Sequence, residues 1–298
     1  MLEHLTTEAR NPASEQLDGL SPVEITELMN AEDNKVSAAV GEQTQEIAKA
    51  IEAIANRLSN GGRLVYIGAG SSGRLGVLDA AECPPTFNSN PAQVVGIIAG
   101  GPGAMFQAVE GAEDSPDLAA KDLKEIDLCS QDAVVGIATS GRTPYVLGGL
   151  DYARSQGAFT VGLSCNRDAA LIARADLSII PVVGPEVISG STRMKAGTAT
   201  KMVLNMLSTG AMVGMGKTYG NLMVDMQATN TKLTARAKRI VCTLTDVSSE
   251  QAEDLLKKCN GELKTAIVSQ RLRQDPAEAR VRLKAARGHL KKALESDR

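Results

Sequence analysis

Apolar positions along the chain recur with two periods. Val36, Val40, Ile47, Ile51, Ile54 and Leu58 fall at helical spacing, and Asn60-Gly61-Gly62 supplies a stop. The stretch before them, residues 1–34, is polar and rich in turn formers, with Asn11-Pro12 and Ser21-Pro22. From residue 63 onward short continuous apolar runs take over, at 63–67, 94–98, 133–138, 159–163 and 177–180. Helical patterns fill most of the gaps between them. Strand and helix in alternation predict βαβ units and a parallel sheet covered on both faces. Beyond residue 190 the strand runs stop. Residues 191–213 and 220–240 read as long helices, and Thr243-Leu244-Thr245-Asp246 breaks the pattern. Ser248 then opens a helix with good N-terminal chemistry, Asn260-Gly261 ends it, and further helices carry Leu263, Ile267 and Val268 and start at Pro276. The expectation is an α/β domain over 1–244 with an N-terminal helical extension, followed by a small helical unit over 245–298. That unit reads either as a three-helix, ubiquitin-associated-like bundle or as a helical tail packed on the main domain.

Composition narrows the function classes. The chain has 298 residues, no Trp and only 3 Phe, so its core must be aliphatic. Few aromatics leave little on which nucleic-acid bases could stack. A net charge of −3 gives no global attraction to nucleic acid or to an anionic membrane. The cysteines, Cys83, Cys129, Cys165, Cys242 and Cys259, are scattered and form no C-x-x-C pair, which argues against structural disulfides and zinc. No apolar run approaches the ~18 residues of a membrane helix, and the first residues lack a signal pattern, so a reducing cytoplasm is expected. The two histidines, His4 and His289, stand near the ends. Acid–base chemistry is therefore expected from carboxylates, Lys or Tyr.

Three glycine-rich turns carry hydroxyls: Gly68-Ala69-Gly70-Ser71-Ser72-Gly73-Arg74, Thr139-Ser140-Gly141-Arg142-Thr143 and Ser189-Gly190-Ser191-Thr192-Arg193. The first two follow strand runs and precede helical patterns. Glycine allows a tight turn and close approach, and the first N–H groups of the following helix point at an anion. For an isolated turn, helix capping by Ser140 or Thr143 explains the residues equally well. Two parallel turns favour a phosphorylated small molecule. Gly68-x-Gly70-x-x-Gly73 also fits the dinucleotide fingerprint, but the next strand run ends Ile97-Ile98-Ala99-Gly100 without the acid that would hold a ribose, so no nucleotide cofactor is expected.

Two acidic segments remain, Asp79-Ala80-Ala81-Glu82-Cys83-Pro84-Pro85 and Glu110-Gly111-Ala112-Glu113-Asp114-Ser115. The proline pair should end the helix that carries Glu82. These acids read either as solvated groups at helix ends, with Asp114 or Ser115 as an N-cap, or as a carboxyl pair dividing acid and base roles. The residues alone leave both open.

The run Gly184–Ala199, Gly-Pro-Glu-Val-Ile-Ser-Gly-Ser-Thr-Arg-Met-Lys-Ala-Gly-Thr-Ala, resembles the signature shared by bacterial N-acetylmuramic acid 6-phosphate etherases and the glucokinase regulatory protein. Residues 79–85, 109–115 and 140–145 are similar to the etherase branch. The resemblance implies a sugar isomerase (SIS) fold, a five-stranded parallel sheet in an α/β/α sandwich. It implies phosphosugar contacts at Ser71, Ser72, Gly73, Ser140, Gly141 and Thr143, with Ser191 and Thr192 beside them. It further implies Glu82 as acid and Glu113 as base, a homodimer, and no metal or other cofactor. The implied reaction is lactyl ether cleavage by elimination and then hydration. A phosphosugar-sensing regulatory protein and a phosphosugar isomerase are the alternatives, and lactate release separates them.

Overall fold

The computed structural model describes residues 5–226 and 231–295. The chain divides into two compact units, residues 1–81 with 91–209, and residues 82–90 with 210–298. The boundary read at 244/245 lies inside the second unit.

The first unit is built on strands β1 (Leu64–Gly68), β2 (Val94–Ile98), β3 (Ala133–Ile137), β4 (Phe159–Leu163) and β5 (Leu177–Ile179). All pairs are parallel, in the order β2-β1-β3-β4-β5. β1 and β3 are buried along their whole length, as their unbroken apolar runs require. Alternate residues serve opposite faces. Val65, Ile67 and Val134 pack with Leu123, Val146 and Leu150 of helices α4 (Pro116–Glu125) and α5 (Pro144–Ser155). Tyr66 points the other way. Its hydroxyl donates to Asp79 on α3 (Gly70–Phe87), and Asp79 also accepts from Asn205 and Ser208 on α6 (Lys195–Gly214). The result is a three-layer α/β/α sandwich.

Three helical expectations change. The polar stretch before residue 36 already contains a helix, α1 (Pro22–Gly41). Ser21 and Glu24 close a capping box around it, and Pro22 fills its first position. The apolar period running from Val36 to Leu58 spans two helices, because the chain turns after Gly41 and restarts as α2 (Thr44–Ser59). Gln43 in that turn accepts the backbone N–H of Ile180 at 2.8 Å. The Pro84-Pro85 pair does not end α3, which runs on to Phe87. Two backbone donors are lost there, but Cys83 and Phe87 are buried and Asn88, in a left-handed conformation, closes the last turn onto the Pro84 carbonyl.

In the second unit the stretch that reads as helix from residue 220 begins instead as an antiparallel ribbon, β6 (Thr218–Tyr219) and β7 (Leu222–Met223). Helix α7 (Thr231–Thr245) follows. Then come α8 (Ser249–Lys258), α9 (Leu263–Leu272), α10 (Pro276–Ala285) and α11 (Leu290–Glu295), four described helices beyond residue 245 where three were expected. Ala237, Ile240 and Val241 of α7 share one apolar core with Leu256, Ile267, Leu283 and Leu290, so α7 belongs with the helices that follow it. No helix of the described residues is long and apolar enough to cross a membrane.

Candidate active site

The sheet order reverses direction at β1 and β3: β2 lies on one side of β1, and β3, β4 and β5 lie on the other. A crevice opens beyond the strand ends at such a switch point. Gly68 and Ile137 are register partners at the ends of the two strands. Ser71 and Ser140 each stand three positions beyond that pair. The fold therefore brings the first and second hydroxyl turns to one place, at the N-terminal ends of α3 and α5.

Glycine is required within these turns. A Cβ on Gly73 would stand 2.6 Å from the Gly68 carbonyl oxygen and 2.7 Å from Ile98 Cγ1. Gly141 has φ +71°, and a Cβ there would meet the Ala169 Cβ at 2.2 Å. Both positions shape the turns through backbone packing.

The hydroxyls are uncommitted. Thr143 precedes α5 but makes no side-chain cap. The side chains of Ser71, Ser72, Thr143, Ser191 and Thr192 have no hydrogen-bond partner among the described residues. Ser140 Oγ accepts from the Arg142 N–H at 3.3 Å, a turn contact that leaves its own proton available. Arg74 does not reach a carboxylate. It donates to the Met105 and Ala104 carbonyls, at 2.9 and 2.8 Å, and ties α3 to the segment after β2.

The third turn differs. Glu186, fully buried, accepts the N–H groups of Lys195 and Ala196 at 3.0 and 2.9 Å. That carboxylate already fills the N-terminus of α6, so Ser191 and Thr192 lie beside an anion held by the protein itself.

The two candidate acids lie on different elements. Glu113 lies on a short 3-10 turn, Ala112–Asp114, in the connection from β2 to α4, and Ser115 caps α4 by accepting from Leu118 N–H at 3.3 Å. Glu82 follows Ser71 on α3 by eleven residues. At 1.5 Å per residue that is about 16 Å along one helix. Both carboxylates are exposed and unpartnered among the described residues.

Similarity to known proteins decides the family. Residues 46–154 match the model of the glucokinase regulatory protein N-terminal SIS domain, and residues 220–288 match that of the C-terminal lid domain of the same protein. The chain is 58% identical over 293 residues to N-acetylmuramic acid 6-phosphate etherase of Rhodopirellula baltica, covering 98% of this chain and 97% of the relative. It is 56% identical to the same-named protein of Streptomyces avermitilis, covering 98% and 94%, and 50% identical to that of Lactobacillus acidophilus, covering 99% of each. The chain belongs to the N-acetylmuramic acid 6-phosphate etherase family.

This etherase-family chain is an enzyme, a carbon–oxygen lyase with a SIS domain. Its candidate site has features that local sequence patterns did not reveal. Glu32 on α1 is buried and pairs with buried Lys195 at 2.5 Å and with Lys35 at 2.5 Å. Burial alone would raise the Glu32 carboxyl; hydrogen bonds from Lys195, Lys35 and Asn11 outweigh it and hold the group down at about 2. Thr7, Asn11 and Asn166 are also buried beside the second and third turns. The only sequence signal for them was the odd occurrence of polar residues at the end of β4, Ser164-Cys165-Asn166. Of the two histidines, His4 lies outside the described residues. His289 belongs to the second unit, where burial, with Lys292 and Lys264 nearby, lowers its pKa.

Proposed function

We propose that the chain cleaves the lactyl ether of N-acetylmuramic acid 6-phosphate, consuming water and giving N-acetylglucosamine 6-phosphate and D-lactate. Its substrate is a small phosphosugar. The observation that carries the reading is the pair of hydroxyl turns on adjacent central strands, each opening a helix and each with hydroxyl protons to donate. In this reading Ser71, Ser72, Ser140 and Thr143 donate to the 6-phosphate, the helix N-termini add backbone N–H groups, and Gly73 and Gly141 let the turns close around it. Ser191 and Thr192 contact the sugar.

Chemistry then follows at carbons 2 and 3 of the open-chain sugar. The aldehyde at carbon 1 acidifies the carbon 2 hydrogen, and Glu113 removes it. The C3–O bond breaks, a C2–C3 double bond forms, and Glu82 protonates the departing lactyl oxygen. Water then adds, its oxygen to carbon 3 and a proton to carbon 2. No step changes the net oxidation state, so no redox cofactor is called for. The test is to incubate the protein with N-acetylmuramic acid 6-phosphate and assay D-lactate. Stoichiometric lactate is expected. Binding without turnover would point to a regulatory protein, and a changed sugar without lactate to an isomerase.

The same reading places the enzyme in the cytoplasm as a homodimer, with residues beyond 245 supplying no phosphate contact. Two features support a dimer. Leu78 on α3 and Phe106 and Val109 after β2 are 52%, 95% and 48% exposed. Arg74 holds that connection alongside α3. Glu82 follows Ser71 by about 16 Å of helix, and in this reading it serves the site of a partner. Phe106→Glu is expected to shift sedimentation from dimer to monomer at micromolar concentration and to lower activity with it. An unchanged dimer would move the interface elsewhere.

A further inference from the structure

The polar N-terminal segment carries no apolar pattern, yet three of its side chains are buried. Leu5 is 2%, Thr7 1% and Asn11 6% exposed. Its partners explain why. Asn166, 2% exposed at the end of β4, donates from Nδ2 to the Thr139 carbonyl at 2.8 Å and to Thr7 Oγ1 at 3.1 Å. Thr7 N–H returns a bond to Asn166 Oδ1 at 3.3 Å. The Thr139 carbonyl accepts two more donors, Ser164 Oγ at 3.1 Å and Cys165 N–H at 3.0 Å. Thr139 is the residue before Ser140.

The same segment reaches the third turn. The Gly190 N–H donates to the Thr7 carbonyl at 3.2 Å, and Gly190 is the residue before Ser191. Asn11 Nδ2 donates to the Pro185 carbonyl at 3.2 Å, and Ser14 Oγ to the Val187 carbonyl at 2.8 Å. One side of Thr7 thus fixes the second hydroxyl turn through Asn166, and its own carbonyl fixes the third. The bonds that Thr7, Asn11 and Ser14 make through side-chain atoms span 159 to 174 positions of sequence.

We propose that Leu5–Ser14 is a strap built into the phosphosugar site, with Thr7 and Asn166 as positioning residues that hold Ser140 and Ser191–Thr192 in register with one another. The proposal rests on the phosphosugar reading given above. Apolar packing would not require this design. Buried polar groups must be satisfied, and here they are satisfied by the backbone of two functional turns. Turn residues that bind a ligand need supports of this kind, because displacement by about 1 Å can cost on the order of 10²-fold in rate.

The experiment uses the full-length enzyme. Thr7→Val keeps the shape and removes the hydroxyl. It should raise KM for N-acetylmuramic acid 6-phosphate about tenfold or more, since the loss falls on substrate positioning. Thr7→Ser, which keeps the hydroxyl, should stay within about twofold of wild type, being a rescue of the same bond. In a Ser140→Ala background Thr7→Val should add little, because both act through one contact. Asn166→Ala is judged by the same three measures, so an insoluble variant at one position leaves the other to decide. A Thr7→Val protein that melts earlier but keeps wild-type KM would overturn the strap while leaving the site intact. Ser140→Ala with unaltered KM would instead remove the phosphate site, and the strap's role with it.

Discussion

Replacing Glu113 or Glu82 by Gln is expected to lower lactate release by about 10²-fold or more, the scale of general acid–base catalysis. Gln keeps the shape and the hydrogen-bonding edge while removing proton transfer. Both side chains are exposed and unpartnered among the described residues, so neither change should disturb folding. The helix geometry adds a second expectation. If Glu82 serves the partner's site, the two inactive variants should complement each other. In mixed dimers one site collects both substitutions and the other collects neither. Refolding or subunit exchange of an equal mixture should then recover roughly a quarter of wild-type activity, since half the dimers are mixed and each has one intact site. A mixture as inactive as its components would place Glu82 and Glu113 of one chain in the same site. Activity within a few-fold of wild type for either single variant would remove that residue from the chemistry.

How much of this was legible depended on whether the cause was local. β1 to β5 were read within a residue or so at each end, because a buried parallel strand must be a short unbroken apolar run. Ser71 and Ser140 were legible for the same reason, as glycine turns after such runs. Their convergence was not, since it depends on β3 rather than β2 lying on the far side of β1. Helix α1 was hidden behind turn formers, yet Ser21-Pro22 with Glu24 is a start signal that needed only to be weighed above the polar composition. The β6–β7 ribbon is two residues per strand, too short for any period to show. Thr7 and Asn166 stand 159 positions apart, and nothing in either neighbourhood points to the other. The resemblance named Glu82, but its separation from Ser71 along one continuous helix was hidden by the Pro84-Pro85 pair, which reads as a helix end.

Lys195→Met is expected to be the most destabilising single change in the first unit, by about 3–5 kcal/mol at neutral pH. Lys195 is 1% exposed, and its ammonium sits on Glu32, itself 3% exposed. Removing the cation leaves a buried carboxylate with only the exposed Lys35 and the buried Asn11 beside it. Removing both charges should hurt far less, so Glu32→Leu with Lys195→Met should recover most of the loss. The pH dependence gives a sharper test. Glu32 has a folded-state pKa of about 2, below its ordinary value, so the pair's stabilisation is fully present above the ordinary glutamate range and is lost as pH falls toward 2. In Lys195→Met the carboxyl can protonate much earlier. The gap between wild type and variant should therefore be widest at pH 7 and narrow as pH drops below about 4.5, where the unfolded-state carboxyl also takes up its proton. Urea unfolding at a series of pH values measures that gap directly. A gap that stays constant from pH 7 to pH 3 would show that Lys195 acts by packing its aliphatic stem, and that the Glu32 charge is held by Lys35 and Asn11 alone.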